Sequence, residues 1–96
     1  MDFQILYTEP ALADLEEILL YSWSMFPDTS ERFGIALLNH VAILGTFPYI
    51  GSPVAGRQSV RQLIHTPILV HYRVVAERKL IEVLHFRHAA RIQPGI

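Results

Sequence analysis

The sequence lacks cysteine, contains one lysine, and has only 18% charged residues in a chain of 96. Without cysteine it can form neither disulfides nor a zinc site built on thiolates, which suits a reducing compartment, and we expect the cytoplasm. No apolar run approaches the ~18 residues of a membrane span, and the N-terminus lacks the basic segment of a signal peptide. We therefore expect one soluble domain over residues 1–96.

The few charges are divided unevenly along the chain. Residues 57–96 carry seven Arg or Lys side chains and two Glu, whereas residues 1–56 carry one Arg and seven Asp or Glu. Four of the five histidines also lie in the basic part. A basic surface of this kind suits a polyanion or an acidic protein. Because apolar residues reach 51%, which is high for a small domain, we also expect an apolar surface that a partner covers.

Periodicity predicts one strand and two helices in the N-terminal half. Residues 3–7 alternate as in a half-buried strand, and Thr8 then has the character of a helix N-cap. Apolar residues three or four apart continue from there to Phe26. A second helix is predicted from a capping box at residues 28–31 to a stop at Gly45. The short connection between these helices implies an antiparallel helical hairpin.

The C-terminal half is predicted to form three strands, at residues 59–65, 68–75 and 80–86. Short turns join them, so they form an antiparallel meander. Residues 47–53 are rich in turn formers and lead from the helices to the sheet. The predicted fold class is α+β, with a short N-terminal strand and an antiparallel helical hairpin packed on a twisted antiparallel sheet that ends in the three-strand meander.

Side chains that alternate along a strand point to opposite faces of the sheet. In all three strands the Arg and His residues share one parity, and we expect these sets to lie together on the face that the helices leave open: Arg61, Leu63 and His65; Leu69, His71 and Arg73; Ile81, Val83, His85 and Arg87. The opposite sets are expected under the helices, with Tyr72 in the core: Gln62 and Ile64; Val70, Tyr72 and Val74; Leu80, Leu84 and Phe86 around Glu82.

This order of elements resembles the RelE/ParE superfamily of toxins from type II toxin–antitoxin modules, over nearly the whole chain. The segments that carry the resemblance are Ala13-Asp14-Leu15-Glu16-Glu17-Ile18, Phe47-Pro48-Tyr49-Ile50-Gly51-Ser52-Pro53, Val60-Arg61-Gln62-Leu63 and Val83-Leu84-His85-Phe86-Arg87. The resemblance implies a growth-inhibiting toxin linked to plasmid stabilisation, with no cofactor, that forms a hetero-oligomer with its antitoxin.

The superfamily has two branches that differ in activity. ParE-like members are associated with poisoning DNA gyrase, whereas RelE-like members resemble ribonucleases that cut mRNA on the ribosome. The crossing from Pro48 to Pro53 and the presence of a single lysine favour the ParE-like branch. An mRNA endonuclease, or a degenerate non-toxic binding module, remains an alternative.

Candidate site residues follow from the two branches. In a ribonuclease the catalytic residues would be Arg61, His85 and Arg87, with His85 as general acid or base and the arginines on the phosphate. Structural alternatives are a salt bridge from Arg61 to Glu82 or another acid, and a purely structural His85. The residues expected to bind the target or a phosphate are Arg57, Arg61, Arg73, Arg87 and Arg91. Trp23 and Phe26 are expected either to bind the antitoxin or to lie in the core. The acidic side chains of the first helix, Asp14 included, are interpreted as a solvated surface. We expect no metal site, because no carboxylate accompanies the histidines at a suitable spacing.

Overall fold

The computed structural model describes residues 2–25 and 27–89, and it confirms the α+β class. The helices are α1 (Glu9–Met25) and α2 (Pro27–Ala42), which continues into a 3-10 turn (Ile43–Gly45). The strands are β1 (Gln4–Tyr7), β2 (Ser52–Pro53), β3 (Arg61–His65), β4 (Ile68–Val75) and β5 (Leu80–His88). A second 3-10 turn (Ala76–Arg78) joins β4 to β5.

Thr8 caps α1, as the sequence predicts. Its hydroxyl accepts from the Ala11 amide at 3.4 Å and its carbonyl accepts from the Leu12 amide at 3.0 Å. These bonds satisfy amide groups that have no partner within the first turn of a helix. The second helix starts at Pro27, so the residues of the predicted capping box lie inside its first turn. Proline is well tolerated at that position because the first amides of a helix are unpaired anyway.

The five strands form one sheet in the order β1-β5-β4-β3-β2. Strands β3, β4 and β5 make the predicted antiparallel meander, and the two-residue β2 extends it as an edge strand that the sequence did not reveal. The sheet is mixed rather than wholly antiparallel, because β1 pairs with β5 in parallel, with Ile5 opposite Ile81. The first strand of the chain therefore forms one edge of the sheet, next to the last strand.

The core lies between the helical hairpin and one face of the sheet. Tyr72 is fully buried there, as predicted. In the hairpin, the Ser30 hydroxyl donates to the Leu19 carbonyl at 3.2 Å, and a side chain at Gly34 would come within 3.3 Å of Leu19. The close approach of the helices therefore requires small residues on α2. The buried cluster is Ala11, Leu37, Val41, Leu44, Leu63, Ile68, Val70, Tyr72, Ile81, Val83 and Phe86.

The prediction that all three basic sets share the open face is wrong for β3. Leu63 lies opposite Val70 and is buried in the core, so Arg61 and His65 point to the helix side with it. Gln62 and Ile64 consequently lie on the open face, not under the helices. Residues directly opposite each other in an antiparallel pair share a face, and that register is set by pairing between strands, which alternation within one strand does not report.

The prediction is also wrong for the first half of β5, because this strand contains a bulge. Val83 lies opposite Tyr72 and His85 lies opposite His71, so Leu84 is an extra residue between two adjacent pairs. A bulge of this kind reverses the parity of the residues that follow it. Val83 therefore faces the core, whereas His85, beyond the bulge, shares the open face with His71.

Candidate functional site

A row of polar side chains crosses the open face. Gln62, His71 and His85 lie side by side on β3, β4 and β5, and the row ends at Asp14 of α1. Nε2 of His71 lies 2.9 Å from Oε1 of Gln62, and Nδ1 of His85 lies 2.9 Å from Oδ2 of Asp14. Because both oxygens are acceptors, each imidazole donates its N–H to them. We call these four residues the polar row.

Asp14 joins the first helix to the edge of the sheet. Strand β1 ends at Tyr7, so the Phe86 amide has no neighbouring strand, and Oδ2 of Asp14 accepts from it at 3.2 Å. The same oxygen accepts from His85. The interpretation of Asp14 as part of a solvated surface is therefore wrong. No pattern within α1 could have indicated this role, because its partners lie more than 70 residues away.

His71 is held as a neutral imidazole in the middle of the polar row. Its side chain is almost wholly buried, and Nδ1 has no hydrogen-bond partner in the described part of the chain. Burial lowers the pKa of His71, and the nearby positive groups of Arg57, Arg87 and His85 lower that pKa further. The proton therefore stays on Nε2, where Gln62 accepts it, and the ring has its lone pair on Nδ1.

Two of the predicted arginines, Arg57 and Arg87, lie near enough to His71 to contribute, after burial, to its lowered pKa. Arg87 is exposed opposite Leu69, next to the His71 and His85 pair, and Arg57 is exposed in the loop that leads into β3. Within residues 2–25 and 27–89 neither has an acidic partner. Arg73, on the same face, is neutralised by Glu82, which accepts from its Nε at 2.9 Å and also from its Nη2. The prediction for Arg91 lies outside the described residues.

Arg61 lies on the helix side of the sheet, away from His85 and Arg87. Its Nε donates to the Gly51 carbonyl at 2.9 Å and its Nη2 to the Tyr49 carbonyl at 3.2 Å. Its guanidinium also lies over the Tyr49 ring, 5.4 Å from the centroid. These contacts fix the segment between the helices and the sheet. The structure thus brings His85 and Arg87 to one face and leaves Arg61 out, and the alternative of a salt bridge to Glu82 is wrong as well.

His65 likewise belongs to the helix side. Its Nδ1 lies 2.8 Å from Nδ1 of His40 on α2, and Phe33 packs edge-on against its ring. Burial lowers the pKa of His65, and the positive form of His40 lowers it further. The pair holds α2 to the end of β3, and it lies on the opposite side of the sheet from the polar row.

The helical hairpin exposes much apolar surface. Trp23, which could have been a core residue, is 54% exposed on α1, and Phe26 lies outside the described residues. Several other large apolar side chains of the two helices are also exposed: Leu12, Leu20, Tyr21, Ile35 and Leu38. Exposed apolar side chains that gather into a patch are typical of a site for a protein partner.

No three His, Asp or Glu side chains of the described residues come close enough together to hold a metal ion. Neither described helix has the length and apolar content needed to cross a membrane.

Comparison with known proteins places the chain. Among solved structures it is similar to the chromosomal ParDE toxin–antitoxin system from P. aeruginosa, with a TM-score of 0.78 and 22% identity over 90% of this chain and 95% of that one. It is also similar to the RelBE2 toxin–antitoxin complex from Mycobacterium tuberculosis, with a TM-score of 0.70 and 18% identity over 92% and 99%. The isolated E. coli RelE toxin follows, with a TM-score of 0.61 and 15% identity over 95% and 88%.

These structural similarities establish the fold. No curated protein sequence matches the chain significantly. The family model of the ParE toxin of the type II toxin–antitoxin system parDE matches residues 5–93, which include the helical hairpin, strands β2 to β5 and all but the first residue of β1. The chain therefore belongs to the ParE toxin family of type II toxin–antitoxin systems.

Proposed function

We propose that this protein is the toxin of a two-component module, that it inhibits growth in the cytoplasm by binding DNA gyrase, and that a cognate antitoxin neutralises it. The observation that carries the proposal is the family match over residues 5–93, because it covers nearly the whole fold and is not confined to one motif.

The exposed apolar surface of the hairpin supports an antitoxin partner. An antitoxin segment that covers Trp23 and the neighbouring leucines would remove apolar surface from water, which is the main source of affinity in such interfaces. The P. aeruginosa and M. tuberculosis neighbours are themselves toxin–antitoxin structures. We expect a hetero-oligomer, and we expect the isolated chain to be poorly soluble until the antitoxin is co-expressed.

Gyrase is favoured as the target because the residues for phosphate chemistry are few. The one lysine, Lys79, lies in the turn before β5, and the Arg61 guanidinium is already bonded to two carbonyl groups. One observation favours the second candidate, a ribosome-dependent mRNA endonuclease. His85 is oriented by Asp14 and shares the open face with Arg87, so it has the geometry of a general acid or base beside a phosphate-binding group.

Inducible expression tests the proposal, with and without co-expression of any small open reading frame that adjoins the gene. We expect growth inhibition that co-expression of the partner relieves, inhibition of gyrase supercoiling by the purified chain, and intact mRNA on the ribosome. His85→Ala separates the two candidates, because it should abolish an endonuclease activity. Primer extension that shows codon-phased cuts lost in His85→Ala would replace gyrase by the endonuclease. A chain with no effect on growth would leave only a binding module.

A further inference from the structure

A pocket of about 580 Å³ opens on the helix side of the sheet, where β3 begins. That volume lies within the range of ordinary ligand sites, about 300–1,000 Å³. Arg61 and Val74 line the pocket from the sheet, and each shares the parity of the core residues of its own strand. Tyr49 and the loop of residues 53–60 complete the lining. Among the described residues that line the pocket none belongs to α1 or α2, so it is separate from the apolar surface of the hairpin.

The lining combines apolar side chains with positive charge. Val60 is buried, and Val54 and Val74 are half-buried. Arg57 and Arg61 supply the charge, and no Asp or Glu of the described residues lines the pocket. A ligand that suits this lining therefore has an apolar group together with a negative one.

The Arg61 side chain is held in place by the protein and still has donors for a ligand. Its Nε and Nη2 donate to two backbone carbonyl groups, and neither bond uses Nη1, whose two N–H groups can donate to a ligand. The loop that carries Arg57 is closed by a hydrogen bond from the Val54 amide to the Val60 carbonyl at 2.9 Å. A site that is ordered before binding loses less conformational entropy when the ligand arrives.

We propose that this pocket binds a segment of a protein partner in which an apolar side chain lies next to a carboxylate group. The apolar side chain packs against Val54, Val60 and Val74, and the carboxylate accepts from Arg57 and from Nη1 of Arg61. The carboxylate comes from an acidic side chain or from the C-terminus of the partner, and two arms of the test separate these sources. The proposal goes beyond the proposed function, since it requires neither toxicity nor binding to gyrase.

The apolar part of the lining favours a protein over a nucleic acid as the ligand. A phosphodiester backbone is charged at every nucleotide and has no apolar side chain to cover the valines, whereas a peptide supplies both kinds of group from neighbouring residues. The turn that contains Tyr49 extends the apolar area, because Phe47, Tyr49 and Ile50 are 59%, 55% and 55% exposed. An apolar area of this extent suits a segment of several residues better than a small organic acid.

The test measures fluorescence anisotropy of labelled probes with the purified full chain. One peptide alternates glutamate and leucine and has an amidated C-terminus, and its control has glutamine in place of every glutamate. Another peptide has a single leucine with a free C-terminal carboxylate after a segment of glycine and serine. Single-stranded RNA and DNA are the competing class of ligand. We expect a carboxylate peptide to bind at least about tenfold more tightly than the glutamine peptide, and the better of the two identifies the source of the carboxylate.

Two variants change the pocket and two leave it intact. V54D places a negative charge in the lining and should weaken binding at least about tenfold, and R57Q removes one positive charge and should weaken it at least about fivefold. R78Q is the matched control for R57Q, because Arg78 is an exposed arginine in the turn before β5 and does not line the pocket. L20D changes a side chain of the hairpin surface that is 63% exposed. Both controls should stay within about twofold of the wild type.

Several results would overturn the site. They are a carboxylate peptide that binds no better than the glutamine peptide, a loss in R78Q as large as in R57Q, and a loss in L20D as large as in V54D. RNA or DNA that binds more tightly than every peptide, and loses that affinity in R57Q, would overturn the choice of ligand. Amide NMR of the wild-type chain makes the test independent of the folding of a variant. Shifts on peptide addition that concentrate in residues 49–61 support the pocket, whereas shifts that concentrate in residues 9–42, or no shifts at all, refute it.

Discussion

Replacing Tyr72 by phenylalanine removes the hydroxyl group that links the sheet by hydrogen bonds to residues 48–51, which precede it in the chain. The Tyr72 side chain is fully buried, and its hydroxyl donates to the Pro48 carbonyl and accepts from the Gly51 amide, both at 2.9 Å. The Gly51 carbonyl in turn accepts from Arg61. The side chain of a buried strand residue therefore binds the backbone of an irregular segment, and no side chain of that segment takes part in the contact.

The expected cost follows from the groups that the change leaves unpaired. Each hydrogen bond contributes about 0.5–1.5 kcal/mol, and a buried donor left without a partner costs about 1–3 kcal/mol. Gly51 is buried, so water cannot replace the hydroxyl without rearrangement. The sum for Tyr72→Phe is about 1.5–4.5 kcal/mol. Tyr72→Ala would add a cavity, for a total at the upper end of the ~3–5 kcal/mol typical of truncated buried aromatics or beyond it.

Urea unfolding of the isolated chain measures this difference. Tyr21→Phe is the matched control, because Tyr21 is 64% exposed on α1 and loss of an exposed hydroxyl should change the free energy of unfolding by less than ~0.5 kcal/mol. We expect a lower midpoint for Tyr72→Phe with an unchanged m-value. If its free energy of unfolding were within ~0.5 kcal/mol of the wild type, the hydroxyl would not anchor the segment, and the argument from the two hydrogen bonds would be refuted.

Asp14→Ala should lower the free energy of unfolding by about 1–3 kcal/mol in the same assay, because it leaves the Phe86 amide at the sheet edge without an acceptor. Arg61→Ala should cost about 1–2 kcal/mol in thermal melts, since its guanidinium bonds two carbonyl groups; an unchanged melting temperature would show that these bonds contribute nothing. Burial and His40 lower the pKa of His65, so the unfolded chain binds the proton more tightly, and stability should fall as the pH drops below about 6.5. His65→Gln should reduce that dependence, and melts at several pH values that show equal slopes for both chains would contradict it.

The local signals of the chain were sufficient for both helices and for every strand except β2. Periods of three to four residues and the cap at Thr8 predicted the hairpin, and alternation with turn residues predicted β3, β4 and β5. These signals are local because helix and turn geometry depends on neighbours in the sequence. The burial of Tyr72 followed from its parity with Val70, which needs only one strand. The family resemblance was also present in the sequence, and the family match confirms it.

The composition of the candidate site depended on the tertiary structure. Parity alone placed Arg61 beside His85, but register turned Arg61 to the helix side, and the extra residue Leu84 brought His85 to the open face. Asp14 belongs to the site because β1 is too short to pair with Phe86, so the Phe86 amide is free to donate to the Asp14 carboxylate. Register, bulges and sheet edges are decided by the packing of whole strands against the core. A shift of one residue in the pairing moves the side chains of a strand to the opposite face of the sheet. The sequence by itself thus determined the two helices, every strand except β2 and the family that the chain resembles, whereas only the packing of those elements decided which charged residues meet.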